Sequence, residues 1–171
     1  MKLTKLFLLL ASVSALVVSS DGSAFAGSAT KPLYVGATVA ANCTITTSAI
    51  SFGAYDPLGV NATDPLTATG KVSIACTKGT TTHIGLDTGL HPGGSTGRQM
   101  AGGTPASTLP YSLFQPDNVT AWGNAAPSWL ATPGPANLSP VDYVVNGEIP
   151  PAQNVSPGID YADTVTATVN F

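Results

Sequence analysis

The groups beyond residue 26 that could do acid–base or metal chemistry are His83, His91 and the carboxylates Asp56, Asp64, Asp87, Asp117, Asp142, Glu148, Asp160 and Asp163. Their spacing does not assemble a site. His83 falls on the side of an alternating stretch opposite Ile84 and is expected to face solvent, and His91 opens the turn His91-Pro92-Gly93-Gly94. The aspartates sit among turn residues, where a short carboxylate caps nearby N–H groups, as Asp56 does before Pro57. There is no nucleophile elbow, no glycine-rich phosphate loop and no close pair of acids in an apolar run. The expectation is therefore no catalytic residue, no metal ligand set and no cofactor.

Cys43 and Cys76 are the two cysteines. Neither belongs to a CxxC pair and no histidine lies near, so a metal site is the weaker alternative to one disulfide in an oxidising compartment. Closing that loop would stabilise the fold by about 3–4 kcal/mol in the chain-entropy picture.

The remaining chemistry belongs to the main chain. Residues 164–171 alternate without a break: Val165, Ala167, Val169 and Phe171 on one face, Thr164, Thr166, Thr168 and Asn170 on the other. That period of two marks a strand with one buried face. Such a strand at the end of the chain presents an unpaired edge, which templates pairing with another strand. The partner is either a strand from earlier in the chain or one from another molecule.

The elements that must position these residues read as all-β. Lys2 and Lys5 precede an apolar run over residues 6–18, and Ala24-Phe25-Ala26 offers a small-x-small cleavage site. This is the layout of a secretory signal peptide over residues 1–26, with a run too short to span a membrane. Beyond it, threonine, glycine, alanine, proline, valine and serine dominate. The net charge of −3 comes without a basic patch, which argues against nucleic acid or an anionic membrane as partner. Residues 31–40 alternate as a strand, with Leu33, Val35, Ala37 and Val39 facing one way. Strand patterns follow at 44–52, at 69–77 with Val72, Ile74 and Cys76 inward, and at 80–87 with Thr82, Ile84 and Leu86 together. Others lie at 98–102, at 108–115 with Pro110 marking an edge or bulge, and at 140–149 with Asn146-Gly147 as a bulge or turn. Residues 124–140 read as a proline-rich surface loop whose Trp129-Leu130 could be an exposed apolar contact. About seven short strands at roughly 8–12-residue spacing predict an immunoglobulin-like sandwich.

Several stretches, in order, resemble the spore coat protein U domain family, which includes subunits of archaic chaperone–usher pili. They are Gly36-Ala37-Thr38-Val39-Ala40-Ala41-Asn42-Cys43-Thr44-Ile45, Ile50-Ser51-Phe52-Gly53-Ala54-Tyr55-Asp56-Pro57, Ile74-Ala75-Cys76-Thr77, Arg98-Gln99-Met100 and Leu109-Pro110-Tyr111-Ser112-Leu113-Phe114. Trp122-Gly123, Gly147-Glu148-Ile149-Pro150-Pro151-Ala152-Gln153 and the stretch from Tyr161 to the end complete the series. The chain departs from the pattern in its longer 124–140 loop and in Asn146-Gly147-Glu148.

The resemblance implies an incomplete immunoglobulin-like sandwich lacking its last strand, with an N-terminal donor-strand arm over residues 27–41 and the sandwich over 42–171. A periplasmic chaperone would lend a strand, and an outer-membrane usher would exchange it for the arm of a neighbouring subunit. Leu33, Val35, Ala37 and Val39 would be the donor side chains, and Val165, Ala167, Val169 and Phe171 the acceptor groove. Localisation would be a cell-surface fibre reached through the periplasm, serving adhesion or biofilm formation. The alternative is a self-contained secreted coat protein or carbohydrate-binding module, in which residues 31–40 pair within their own domain.

Overall fold

The structure, a computed structural model, describes residues 26–93, 97–135 and 138–171. All but the last residue of the expected signal peptide lies outside the described residues. The chain divides into two units, Met1–Ala37 and Thr38–Phe171. Residues 26–37 of the first carry no strand and are exposed. The strand expected over 31–40 is thus absent: alternation supplies the faces, but an extended segment becomes a strand only when a neighbour takes its N–H and C=O groups.

Among the described residues the second unit is built from nine strands and one short 3-10 turn, Val60–Ala62. The strands are β1 (Cys43–Ser48), β2 (Leu66–Cys76), β3 (Thr82–Leu86), β4 (Pro92–Gly93), β5 (Gly97–Gly102), β6 (Ser107–Phe114), β7 (Leu130–Thr132), β8 (Val141–Ile149) and β9 (Ala167–Asn170). They form a six-stranded sheet in the order β1-β2-β8-β6-β5-β4 and a three-stranded sheet in the order β7-β3-β9. Every pairing is antiparallel. This is an all-β sandwich.

Its core follows from the period-two patterns. Val72, Ile74 and Cys76 of β2, Ile84 and Leu86 of β3, Leu109, Tyr111 and Leu113 of β6 and Val145 and Ile149 of β8 are all buried. Trp122, in the segment after β6, ties the sheets together. Its N–H donates to the Leu113 carbonyl and its indole Nε1 to the Ile84 carbonyl, both in the interior. Satisfying the indole is what allows so large a polar-tipped ring to be buried.

Three expectations are corrected. β8 runs in unbroken register against β2 from Ile149 opposite Leu66 to Val141 opposite Ile74, so Asn146-Gly147 is neither bulge nor turn. Gly147 is there because the Phe52 ring lies against it, 2.7 Å from where a Cβ would stand. The 124–140 stretch is not merely a loop, because it contributes β7 at the edge of the small sheet, anchored by a buried hydroxyl pair between Thr132 and Thr82. Trp129 and Leu130 are consequently half-buried rather than exposed. Pro110 stands opposite Gln99 of β5, while β6 meets β8 only over residues 112–114. At Pro110 the strand has a neighbour on one side only, which accommodates the missing N–H.

Candidate functional site

Two sheet edges are unpaired among the described residues where they face each other: β1, which pairs only with β2, and β9, which pairs only with β3. β1 ends at Ser48, and the chain runs on without strand structure while tucking Ile50, Phe52 and Tyr55 half-inward. On the opposite side, residues 155–166 lead into β9, with Val155, Tyr161 and Val165 half-buried. Between these two segments lie two adjoining cavities of about 380 and 740 Å³. Core residues Val72, Leu86, Leu113 and Val145 form the floor of the first, and Leu109 and Ile149 that of the second. Ile50, Phe52, Met100 and Tyr161 line both. The sandwich is therefore open along one side, in an apolar groove that reaches down to its core.

Of the residues expected to form an acceptor groove, Val165 and Ala167 line the first cavity. Val169 is half-buried and stands opposite Ile84 in the β3–β9 pairing, whereas Phe171, beyond the last pair, is 58% exposed. The residues expected to act as donors lie in the open: Leu33 is 86%, Val35 83% and Val39 79% exposed, and Ala37 is exposed as well. Cys43 and Cys76 are disulfide-bonded and stand opposite each other in the β1–β2 register. The bridge pins the start of β1, and hence one wall of the groove, to the core strand behind it.

Of the two histidines, His83 departs from its expected setting, while His91 lies exposed in the bend before β4. His83 is half-buried, its ring stacked on Trp129 with centroids 4.5 Å apart. His91 approaches Asp163 with Nδ1 3.3 Å from Oδ1. Among the described residues no group of three or more metal-ligating side chains occurs, and no helix is long and apolar enough to cross a membrane.

The groove has a polar frame that strand patterns did not reveal. The Asp163 side chain is only 2% exposed. It accepts from the Tyr111 hydroxyl at 2.6 Å, from the backbone N–H groups of Leu90 and Thr164, and from His91. Gly89 permits this approach: its φ is +76° and a Cβ there would lie 2.0 Å from the carboxylate. Asp87 accepts from the N–H groups of Gly89 and Thr166, while its own N–H donates to the Thr166 carbonyl. Beneath them Arg98, 6% exposed, spreads its guanidinium over the carbonyls of Leu86, Asp87 and Trp122.

Burial alone would raise the pKa of both aspartates. Hydrogen bonds to Asp163, led by the one from Tyr111, hold it below the ordinary value instead. For Asp87 the bonds from Thr166 and Gly89, with the charge of Arg98, do the same. Tyr111 is pushed well above the usual phenol by burial, and further by its bond to Asp163 and that group's charge. Burial lowers Arg98, with Tyr111, Asp87 and Asp163 opposing the shift. The only sequence signal for this frame was a set of polar residues, Asp87, Arg98 and Asp163, beside apolar ones in strand-like stretches. The bonds that assemble it reach as far as the 79 residues between Asp87 and Thr166, which no local pattern carries.

The model of the Spore Coat Protein U domain family matches residues 29–168. A search of curated proteins finds no match. Among solved structures, the chain is similar to one in the crystal structure of the CsuC–CsuE chaperone–tip adhesion subunit pre-assembly complex from archaic chaperone–usher Csu pili of Acinetobacter baumannii. The identity is 25% and the TM-score 0.56, over 78% of this chain and 40% of that one. The chain thus spans about two-fifths of the length of its solved relative.

Proposed function

The chain belongs to the Spore Coat Protein U domain family, and from that membership we propose that it is a structural subunit of a secreted surface pilus, built by chaperone–usher donor-strand exchange for adhesion or biofilm formation. Residues 1–26 are the export signal, 27–41 the donor arm and 42–171 the sandwich that receives a neighbour's arm. The observation that carries the reading is the open apolar groove between the β1 and β9 edges, with the core for its floor. The exposed alternation of Leu33, Val35, Ala37 and Val39 supplies a segment of matching chemistry.

Strand addition fits this geometry physically. Main-chain bonds to an unpaired edge give affinity, and alternate side chains entering an apolar trough give specificity. Burying the four donor side chains contributes on the order of 5–8 kcal/mol, alanine the least. Whole domains are stable by only about 5–15 kcal/mol, so a subunit with an empty groove is marginal and needs a strand lent during export. A periplasmic chaperone, an outer-membrane usher and neighbouring subunits are accordingly the partners, and no nucleic acid, cofactor or lasting membrane insertion is called for.

The test compares the chain from Gly27 with one starting at Ala41, by size exclusion and by SDS-resistant laddering. Laddering by the longer form, together with a monomeric shorter form that captures an added peptide of residues 31–40, supports the proposal. A longer form that is a stable monomer, and that truncation unfolds, places the arm in its own sheet and favours a self-contained coat or carbohydrate-binding module.

A further inference from the structure

β9 proper begins at Ala167, yet the groove wall extends back to Tyr161. Over residues 163–166 no strand among the described residues neighbours the chain, and its bonds to the body run through two aspartates, Asp87 and Asp163. Asp87 bonds the N–H of Thr166 at 2.8 Å while its own N–H takes the Thr166 carbonyl at 3.1 Å. Asp163 is held by Tyr111, by the Leu90 N–H at 2.9 Å and by the His91 N–H at 3.3 Å. At the far end, Ala162 exchanges a pair of backbone bonds with Ala101. Both backbone groups of Thr166 therefore point into the body. In an extended chain successive residues direct these groups to opposite edges, so those of Val165 and Ala167 are aimed across the open groove.

We propose that Asp87 and Asp163 are positioning residues for an incoming strand: they keep the 163–166 segment extended while the groove is empty, so that its outward main-chain groups are already in line to pair. This rests on the donor-strand reading of the groove and names what makes that groove competent. An unpaired strand end would otherwise fray, and ordering it would fall to the binding step, with a cost in association rate. The side chains do from behind what a neighbouring strand would do, and leave the front edge free. Arg98 acts one step further back, through the carbonyls of Leu86 and Asp87, which it fixes beneath the two carboxylates.

The experiment measures how fast a fluorescent peptide with the sequence of residues 31–40, in large excess, associates with the chain from Gly27 kept monomeric by dilution. Asp87→Asn and Asp163→Asn are compared with wild type and with Ile74→Val, a change in the β2 core that serves as the control for lost thermal stability. Tyr111→Phe, which removes one bond to Asp163 and keeps the ring, serves where Asp163→Asn does not fold. Hydrogen exchange at the Thr166 amide is followed alongside.

The expected result is association slowed roughly tenfold or more in the aspartate variants, the scale set by losing hydrogen bonds to a charged group. Exchange at Thr166 accelerates with it, while Ile74→Val leaves both unchanged at a matched melting temperature. Equal association rates in the aspartate variants and Ile74→Val overturn the positioning role and leave the donor-strand reading standing. A wild-type chain that takes up no peptide overturns both.

Discussion

Asp163 shows how a single side chain can link the acid sensitivity of the fold to the shape of the groove. In the unfolded chain an aspartate titrates near about 3.9, whereas both Asp163 and Asp87 titrate lower in the folded protein. The unfolded state then binds more protons just below that value, so the stability they contribute is complete above about pH 4 and drains away as pH falls through the folded values. Denaturant midpoints taken between pH 7 and 2 are expected to drop more gently for Asp163→Asn than for wild type; parallel curves would contradict the assignment. Tyr111 has the opposite sense. Its raised pKa means the folded state holds its proton longer, so its contribution is present up to about pH 10 and is lost as pH rises beyond. Alkaline unfolding of Tyr111→Phe is expected to be shallower than that of wild type. Cys76 was legible from the sequence because one residue's place in an alternating run decides which way it points. Asp163 was not, because its meaning comes from Tyr111 and Leu90, which only the assembled sheets bring near. His83 was misjudged for a related reason: its face was right, but Trp129, the residue that covers it, arrives from a stretch with no readable strand.

Among the elements, those with strict alternation were read well, and those defined by their neighbours were not. β2, β3 and β6 carry inward residues at every second position, and their buried faces follow directly. β7 is three residues long and surrounded by prolines; only its pairing with β3 makes it a strand. β8 misled in the other direction, since Asn-Gly is a strong hairpin signal, but here the glycine makes room for Phe52. Gly147→Ala is therefore expected to force the Phe52 ring outward into the groove that it lines, costing about 1–3 kcal/mol as overpacking does and weakening uptake of the 31–40 peptide. Full retention of both stability and uptake would show that the ring has room to spare. β1 depends on a covalent restraint as well. The Cys43–Cys76 bridge sits at the first pair of the β1–β2 ladder, and removing both sulfurs with serine should lower stability by roughly 2–4 kcal/mol. The chemical-denaturation midpoint measures that loss, and amide exchange in β1 should rise more than exchange in β8.

At the scale of the whole molecule, the donor and acceptor surfaces of the proposed pilus subunit are different parts of one chain. A contact between unlike surfaces does not close on itself and propagates into an open fibre. That asymmetry gives a test sharper than loss of assembly. Val35→Asp with Val39→Asp spoils the arm and leaves the groove whole; Val165→Asp places a charge in the groove wall and leaves the arm whole. Burying an unpaired carboxylate in an apolar trough is costly enough to block either contact. Each variant alone is expected to remain monomeric. Mixed in equal amounts, they should form dimers and nothing longer, because the intact arm of one fills the intact groove of the other and the two remaining ends are both disabled. Native mass spectrometry of the mixture reads this directly. Ladders from the arm variant alone would mean that something other than residues 31–40 joins the subunits, and a mixture that stays monomeric would mean that arm and groove are not each other's partners. The alternation of residues 31–40 and 164–171 marks both proposed surfaces in the sequence; that a groove between the β1 and β9 edges is open to the core follows only from the order in which the strands pair.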